Sequence, residues 1–370
     1  MTAIAEISAG DLRDALDHHE PLTILDVRTA ADRAEWSIPG SLHVDAYERL
    51  KAGDRSALDG FDVPTDRPVV TVCGAGVVSL VAADMLRERG IDAMSLRGGM
   101  KGWSLAWNTA LVEMLDSPAT VIQVRRTGKG CLSYIVGCDG DAVVVDPALD
   151  PDVYLHLAAE RGWTITRVID THVHADHLSR SRALADRAGA TYLLPRQERV
   201  RFDYEPLDDG DSFQIGRSTL RAIATPGHTN ESMSYLLDER ALITGDTLFL
   251  TSVGRPDLEA TADESRARAA ALYHSLRRIE QLRQNTIVLP GHVSEPIPFD
   301  GTPLSATLAE VRSRVELLRE DEAGFVESFL GRIPPTPPNH HAIVQANEAG
   351  TLPAGDVTQL EAGANRCAVV

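Results

Sequence analysis

Cysteine is scarce in this 370-residue chain. The four present, Cys73, Cys131, Cys138 and Cys367, are irregularly spaced. That argues against a disulfide framework and for a reducing, cytoplasmic setting. Long hydrophobic runs are missing as well: nothing approaches the ~18 consecutive apolar residues of a membrane span. The start, "MTAIAEISAGDLRDAL", lacks the basic stretch followed by an apolar core that marks a secretory signal. Neither membrane nor export is therefore expected. Positive charge is in deficit, with Lys+Arg 36 against Asp+Glu 54, a net charge of −18 and no basic stripe. Nucleic acid is an unsuitable partner for such a chain. An anionic substrate would have to be drawn in by local positive charge, not by the overall field. The last four residues, "CAVV", formally fit a prenylation box, but no polybasic run or second cysteine precedes them, and we read the match as chance.

What is present suits a soluble globular protein: 43% hydrophobic and 24% charged residues over a length that favours two domains. Residues 1–108 alternate strand and helix. "LTILDV" (22–27), "RPVVTVC" (67–73) and "IDAMSL" (91–96) are short apolar strands, and "SLVAADMLRERG" (79–90) is an amphipathic helix stopped by Gly90. That alternation predicts a parallel sheet with flanking helices. Residues 109–119 read as a connection. Strands follow at 120–126, 131–137 and 141–147, then a helix over about 151–161, a strand ending at Asp170 and a helix over about 177–188. A long helix spans 263–282, a strand 286–292 and a further helix about 304–320. The Pro-rich stretch 332–341 should be extended. Residues 346–370 form a C-terminal tail of no evident role.

Four apolar strands each run into potential metal ligands. "TRVID" leads to His172, His174, Asp176 and His177; "LRAIATPG" leads to His228; "ALITG" leads to Asp246; "TIVLPG" leads to His292. Ligands at one end of a sheet converge in space, and glycine before a ligand lets the backbone approach closely. A single histidine after a strand is usually a capped or solvated residue. Seven ligand-type residues at four strand ends, five of them among the twelve histidines of the chain, are not explained that way.

In this order, THVHADH, TPGHT, GDTLF and PGH resemble the metallo-β-lactamase superfamily over about residues 120–300. The resemblance implies an αββα sandwich over 120–345 with a metal site at one edge of its two sheets. It does not fix the reaction. Within the superfamily, glyoxalase II-type thioesterases use all seven positions to hold two metals. Persulfide (sulfur) dioxygenases hold one Fe(II), which on this chain implies His172, His228 and Asp246 as ligands. Two histidines and a carboxylate are the facial triad of non-haem iron oxygenases. His174, Asp176, His177 and His292 would then orient ligands and move protons. "SVGRPDL" (252–258) and "ALYHSL" (271–276) resemble dioxygenase segments. They suggest Arg255 as a partner for a glutathione carboxylate or the persulfide, and Tyr273 as a hydrogen-bond donor near the iron.

The first domain resembles a rhodanese sulfurtransferase over about residues 5–108, through "LDVR" (25–28), "IPGSLHV" (38–44), the loop Cys73 to Val78 and "LRGGMKGW" (96–103). A loop wrapped around a strand-end cysteine aims backbone N–H groups at its sulfur, and the helix N-terminus adds partial positive charge. Gly74 and Gly76 permit such a loop. Where many rhodaneses carry cations in this loop, Gly74 and Val78 stand here, so a persulfide-carrier role is expected rather than strong activity on thiosulfate. Asp26 and Arg28 are expected to brace the loop.

The combined expectation is a rhodanese domain followed by a dioxygenase that converts glutathione persulfide, O2 and water to sulfite and glutathione with one Fe(II) per chain. The rivals are a dinuclear zinc thioester hydrolase and a persulfide carrier or sensor. Other low-molecular-weight persulfides fit the same chemistry, and a homo-oligomer is compatible with the sequence, which does not specify assembly.

Overall fold

Five short parallel strands come first in the computed structural model, which describes residues 5–337, 339–363 and 366–369. They are β1 (Glu6–Ile7), β2 (Thr23–Asp26), β3 (Leu42–His43), β4 (Val69–Val72) and β5 (Ala93–Leu96), in the order β1-β5-β4-β2-β3. Both β2 and β4 are buried throughout, as parallel strands covered on two faces must be. Leu25 and Val69 face one core with the helix Val78–Glu88, while Ile24, Val70 and Val72 face another with Leu12 and Trp103. A short helix, Gly99–Trp103, follows β5.

The second domain is two sheets face to face. One contains β6 (Asn108–Val112), β7 (Thr120–Arg126), β8 (Cys131–Cys138), β9 (Asp141–Val145), β10 (Thr164–Ile169), β11 (Thr191–Pro195) and β12 (Glu205–Leu207) in unbroken sequence order. The other orders β13 (Ser212–Ile215), β14 (Ser218–Ala224), β15 (Met233–Leu237) and β16 (Ala241–Gly245) and then, past the separate β17 (Val253–Gly254), β18 (Ile287–Pro290) and β19 (Ala306–Thr307). Alternation along the strands builds the layers. Val121, Leu132, Tyr134 and Val136 meet Leu220, Tyr235, Ile243 and Leu289 between the sheets. Ile122, Val124 and Ile135 point out to the helices Pro151–Ala159 and Ser181–Ala188. Ile223, Leu242 and Val288 point out to Ala262–Ile279 and Glu322–Leu330. This is the expected αββα sandwich.

Several boundaries differ from expectation. The stretch 109–119 is only partly a connection, because β6 pairs antiparallel with β7, burying Ala110 and Val112 and exposing Leu111. The helix foreseen from 177 starts at Ser181. The backbone before it is bonded elsewhere: Leu178 N–H donates to Glu361 and Ser179 N–H to Asn347. The helix foreseen over 304–320 is divided into Leu308–Arg314, entered through a Thr307/Glu310 capping box, and a 3-10 turn at Glu316–Arg319. The Pro-rich stretch lacks regular structure up to Pro337. Pro338 lies outside the described residues, and a helix, His340–Ala349, follows at once.

The tail is part of the domain. Asn347 donates to the carbonyls of His174 and His177, and β20 (Ala368–Val369) pairs antiparallel with β17. No described helix is long and apolar enough to cross a membrane.

Candidate metal centre

All seven expected ligand residues are buried at the edge where β10, β16 and β18 end. They form separate groups. His172, His228 and Asp246 present ligand atoms within 4.8 Å of one another. His172 Nε2 is 4.0 Å and His228 Nε2 3.6 Å from Asp246 Oδ2. An ion about 2 Å from each atom bridges such separations. His174 Nε2 lies 3.3 Å and 3.7 Å from the carboxylates of Asp146 and Asp170, and its ring sits between those of His172 and His177, centroids 4.3 Å and 4.2 Å away. Asp176, His177 and His292 gather with Cys131.

The hydrogen bonds fix which nitrogens face the first group. The Thr171 hydroxyl donates to Asp146 Oδ2 at 2.9 Å, so it accepts from His172 Nδ1–H, also at 2.9 Å. His228 Nδ1–H donates to the Arg255 carbonyl at 2.7 Å. Both rings therefore aim an Nε2 lone pair inward. Burial holds His228 below the usual imidazole range and, with the charge of His174, holds His172 well below it. Burial raises the Asp246 carboxyl, but His292 outweighs it and the net shift is downward. His172 Nε2, His228 Nε2 and Asp246 Oδ2 are buried with no hydrogen-bond partner among the described residues. Two neutral imidazoles and a carboxylate left unsatisfied around one point fit a divalent metal.

Local backbone makes the approach possible. Gly245, just before Asp246, sits at φ +49°, and a Cβ there would lie 2.5 Å from Thr171 Oγ1. Only glycine lets β16 close on the loop that carries His172.

His292 bridges the groups. Its Nδ1 is 2.5 Å from Asp246 Oδ1 and its Nε2 2.7 Å from Asp176 Oδ2. Donation from both nitrogens needs the imidazolium, and the two carboxylates overcome burial to raise its pKa well above the usual value. His174 is raised well above its usual value in the same way, by Asp146 and Asp170 against burial. Burial and the charge of Asp176 push the Cys131 thiol up, but His177 and His292 pull it down more, to about 7.

The structure places two of the expected substrate residues in packed settings. Arg255 is wholly buried, forked onto Asp257 at 2.8 Å, with its remaining N–H groups on the carbonyls of Pro334, Pro335 and Arg366. It holds the chain's end in place and has no donor left for a glutathione carboxylate. The Tyr273 ring packs on Phe325 and under Arg277.

Sequence reasoning missed Asp146, Asp170, Thr171, Cys131 and Glu361. The two aspartates could have been found, since each ends an apolar strand, in "VVVDP" and "RVID". Glu361 carries no local signal. It is fully buried between Arg126 and Arg180, and Lys129 Nζ donates to its carbonyl. Lys129, Arg366 and His340 line a cavity of about 110 Å³ that reaches Asp176. Lys129 donates to the Glu361 carbonyl, Arg366 pairs with Glu35 and His340 with Glu259. A second cavity, about 330 Å³, reaches His292 past Phe249, Val293 and Glu295.

In the first domain, Cys73 follows β4 and is buried, and its Sγ accepts from the Ser79 hydroxyl at 3.2 Å. Met100 N–H and Lys101 N–H hold the carbonyls of Cys73 and Gly74. Gly76 takes φ +82°, and a Cβ there would meet Gly98 N at 2.7 Å, so this loop needs glycine at 76; at Gly74 nothing lies within 4 Å of such an atom. Asp26 and Arg28 form a buried pair that ties to the Trp36 carbonyl. They brace that segment, and Asp26 pairs in register with Val72, just before Cys73.

Comparison with known proteins agrees with this geometry. Residues 8–106 match the rhodanese-like domain model and residues 126–292 the metallo-beta-lactamase superfamily model. Hydroxyacylglutathione hydrolase of Rhizobium johnstonii is 32% identical over 184 residues, 48% of this chain and 69% of that protein. That of Rhodospirillum rubrum is 33% identical, over 54% of this chain and 77% of that protein. The crystal structure of ETHE1 from Myxococcus xanthus superposes with a TM-score of 0.54 at 31% identity, covering 62% of this chain and 97% of that one. A metallo-beta-lactamase from Staphylococcus aureus superposes with a TM-score of 0.58 at 26% identity, covering 64% and 74%. The chain belongs to the metallo-beta-lactamase superfamily and carries a rhodanese-like domain ahead of its αββα sandwich.

Proposed function

We propose that the second domain is a persulfide dioxygenase holding one Fe(II) on His172, His228 and Asp246. The observation that carries this reading is the separation of the ligand residues. His172 Nε2, His228 Nε2 and Asp246 Oδ2, buried without hydrogen-bond partners among the described residues, form one group, while His174 Nε2, equally without such a partner, faces Asp146 and Asp170 in another. A metal held by two imidazoles and one carboxylate would keep positions free for a sulfur ligand and for O2. Bound Fe(II) supplies the O2 chemistry that no side chain here can perform.

The protein's own groups do the rest. Thr171 and the Arg255 carbonyl hold the two imidazoles in the ligating tautomer. The His292 imidazolium, between Asp246 and Asp176, can move a proton at Nε2. Lys129 and Arg366, with Glu35 beside them, line the cavity that reaches Asp176, through which a persulfide can enter. The substrate is glutathione persulfide or another low-molecular-weight persulfide. Persulfide, O2 and water give sulfite and the free thiol. Cys73 carries sulfane sulfur to or from the same pool, and tethering raises the effective concentration at the second site to roughly millimolar.

The second reading is a dinuclear hydrolase of glutathione thioesters. It is supported by the identity to the hydroxyacylglutathione hydrolases and by the gathering of Asp176, His177 and His292. Anaerobically purified, untagged protein decides between them. The dioxygenase consumes O2 with glutathione persulfide and leaves S-lactoylglutathione intact; the hydrolase does the reverse.

A further inference from the structure

We propose that Cys131 is the sulfur-accepting nucleophile of the metal domain. It takes the outer sulfur of an incoming low-molecular-weight persulfide and presents it beside the metal group as an enzyme-bound persulfide. The inference rests on the dioxygenase reading above and names how its substrate is held.

Cys131 opens β8, at the edge where the metal group lies. Its backbone forms an isolated bridge with His292, closed by Leu132 N–H to Gly291 and Val293 N–H to Gly130. Its Sγ, an oxygen of Asp176, a nitrogen of His177 and a nitrogen of His292 all lie within 4.8 Å of one another. The thiol donates to Asp176 Oδ2 at 3.3 Å, and His177 Nδ1 lies 3.0 Å and 3.1 Å from the two oxygens of that carboxylate. A nucleophile, an imidazole and a carboxylate that orients it are thus assembled in one buried cluster. His177 Nε2 is buried with no hydrogen-bond partner among the described residues. Cys138, at the other end of the same strand, belongs instead to the apolar core between the sheets. A thiol kept for packing belongs there, not among two histidines and an aspartate.

The cluster adjoins the metal group, because His292 touches both Asp176 and Asp246. Both cavities described above border it, one at Asp176 and the other at His292.

The chemistry balances. The Sγ–H proton passes to the Asp176–His177 pair. Sγ bonds to the outer sulfur of R–S–SH as the S–S bond of the substrate breaks, and the leaving thiolate takes a proton to become RSH. No net oxidation occurs in this transfer. Oxidation of the outer sulfur by O2, with one water, then releases sulfite and two protons and restores the Cys131 thiol.

The test uses full-length protein treated with glutathione persulfide without O2, alkylated and examined by peptide mass spectrometry. One added sulfur atom is expected on the peptide that contains Cys131, with or without iron. Cys131→Ser and Cys131→Ala should keep their iron, which shows that they fold. They should lose O2 uptake by ~100-fold or more, the scale of removing a positioned reacting group. Asp176→Asn should slow sulfur loading of Cys131. If Cys131 stays unmodified while Cys73 gains sulfur, or if both Cys131 variants consume O2 like the wild type, the proposal is overturned and the dioxygenase reading stands. Sulfur on Cys131 in iron-loaded protein that never consumes O2 supports the acceptor step and overturns the dioxygenase reading instead.

Discussion

Arg126 and Glu361, 235 positions apart in the chain, face each other at 3.2 Å with both side chains out of solvent. Arg180 reaches the same carboxylate at 3.3 Å. Burial pushes the Glu361 carboxyl up, but Arg126 and Arg180 outweigh it, so its pKa lies below the usual 4.5. A carboxylate depressed in the folded state contributes stability above its unfolded value and loses it as the pH falls through its folded value. Acid below about pH 4.5 should therefore loosen the C-terminal segment that closes over the metal loop. Glu361→Gln leaves two buried guanidinium groups without their anion. It should cost ~3–5 kcal/mol and flatten the acid-side fall of the melting temperature. Thermal melting of both proteins across pH checks this; equal curves would refute it.

Thr171 sets the tautomer of His172. Thr171→Val removes the hydroxyl that accepts from His172 Nδ1 and donates to Asp146. Losses of this kind weaken metal sites by ~10–100-fold. Iron affinity, measured by competition with a chelator, should fall on that scale while the melting temperature of metal-depleted protein changes little.

Cys73 lies on the other domain. Cys73→Ser should abolish sulfur transfer and leave O2 uptake with glutathione persulfide largely intact. Parallel assays of thiosulfate formation and O2 consumption check it. Loss of O2 uptake as complete as that of a ligand variant would show that the domains do not work independently.

Tyr273 and Arg255 should act on stability alone. Tyr273→Phe keeps the packing on Phe325, and O2 uptake should stay within about twofold of wild type. Arg255→Lys breaks a fork onto Asp257 and leaves carbonyls from the chain's end without donors. A stability loss of ~3–5 kcal/mol is expected, with the substrate KM of the folded protein unchanged. A selective rise in KM for glutathione persulfide would restore Arg255 to the substrate.

The two-domain architecture was legible because each apolar strand is short and bounded, and because ligand residues follow strand ends directly. His172, His228, Asp246 and their neighbours could be named from that pattern alone. Arg255 was misplaced because a charge in a loop reads as available. Its partners are Asp257, two residues on, and carbonyls some 80 to 111 positions away. Cys131, Asn347 and Glu361 were missed for the same reason. Their roles depend on contacts 45, 173 and 235 positions distant, and nothing local announces them. The tail looked featureless because its order comes from those contacts and from the pairing of β20 with β17, not from hydrophobic periodicity.

Iron and zinc per chain in wild type, Asp246→Asn and Asp176→Asn, measured beside O2 uptake, test the central claim most directly. Asp246 contributes the carboxylate of the proposed site, whereas Asp176 sits beyond His292. The account predicts about one iron and little zinc in wild type. Asp246→Asn should lose its iron and its O2 uptake, and Asp176→Asn should keep a substantial share of its iron. Two metals in wild type, falling to one in Asp176→Asn, would contradict the single-iron centre and favour the dinuclear hydrolase.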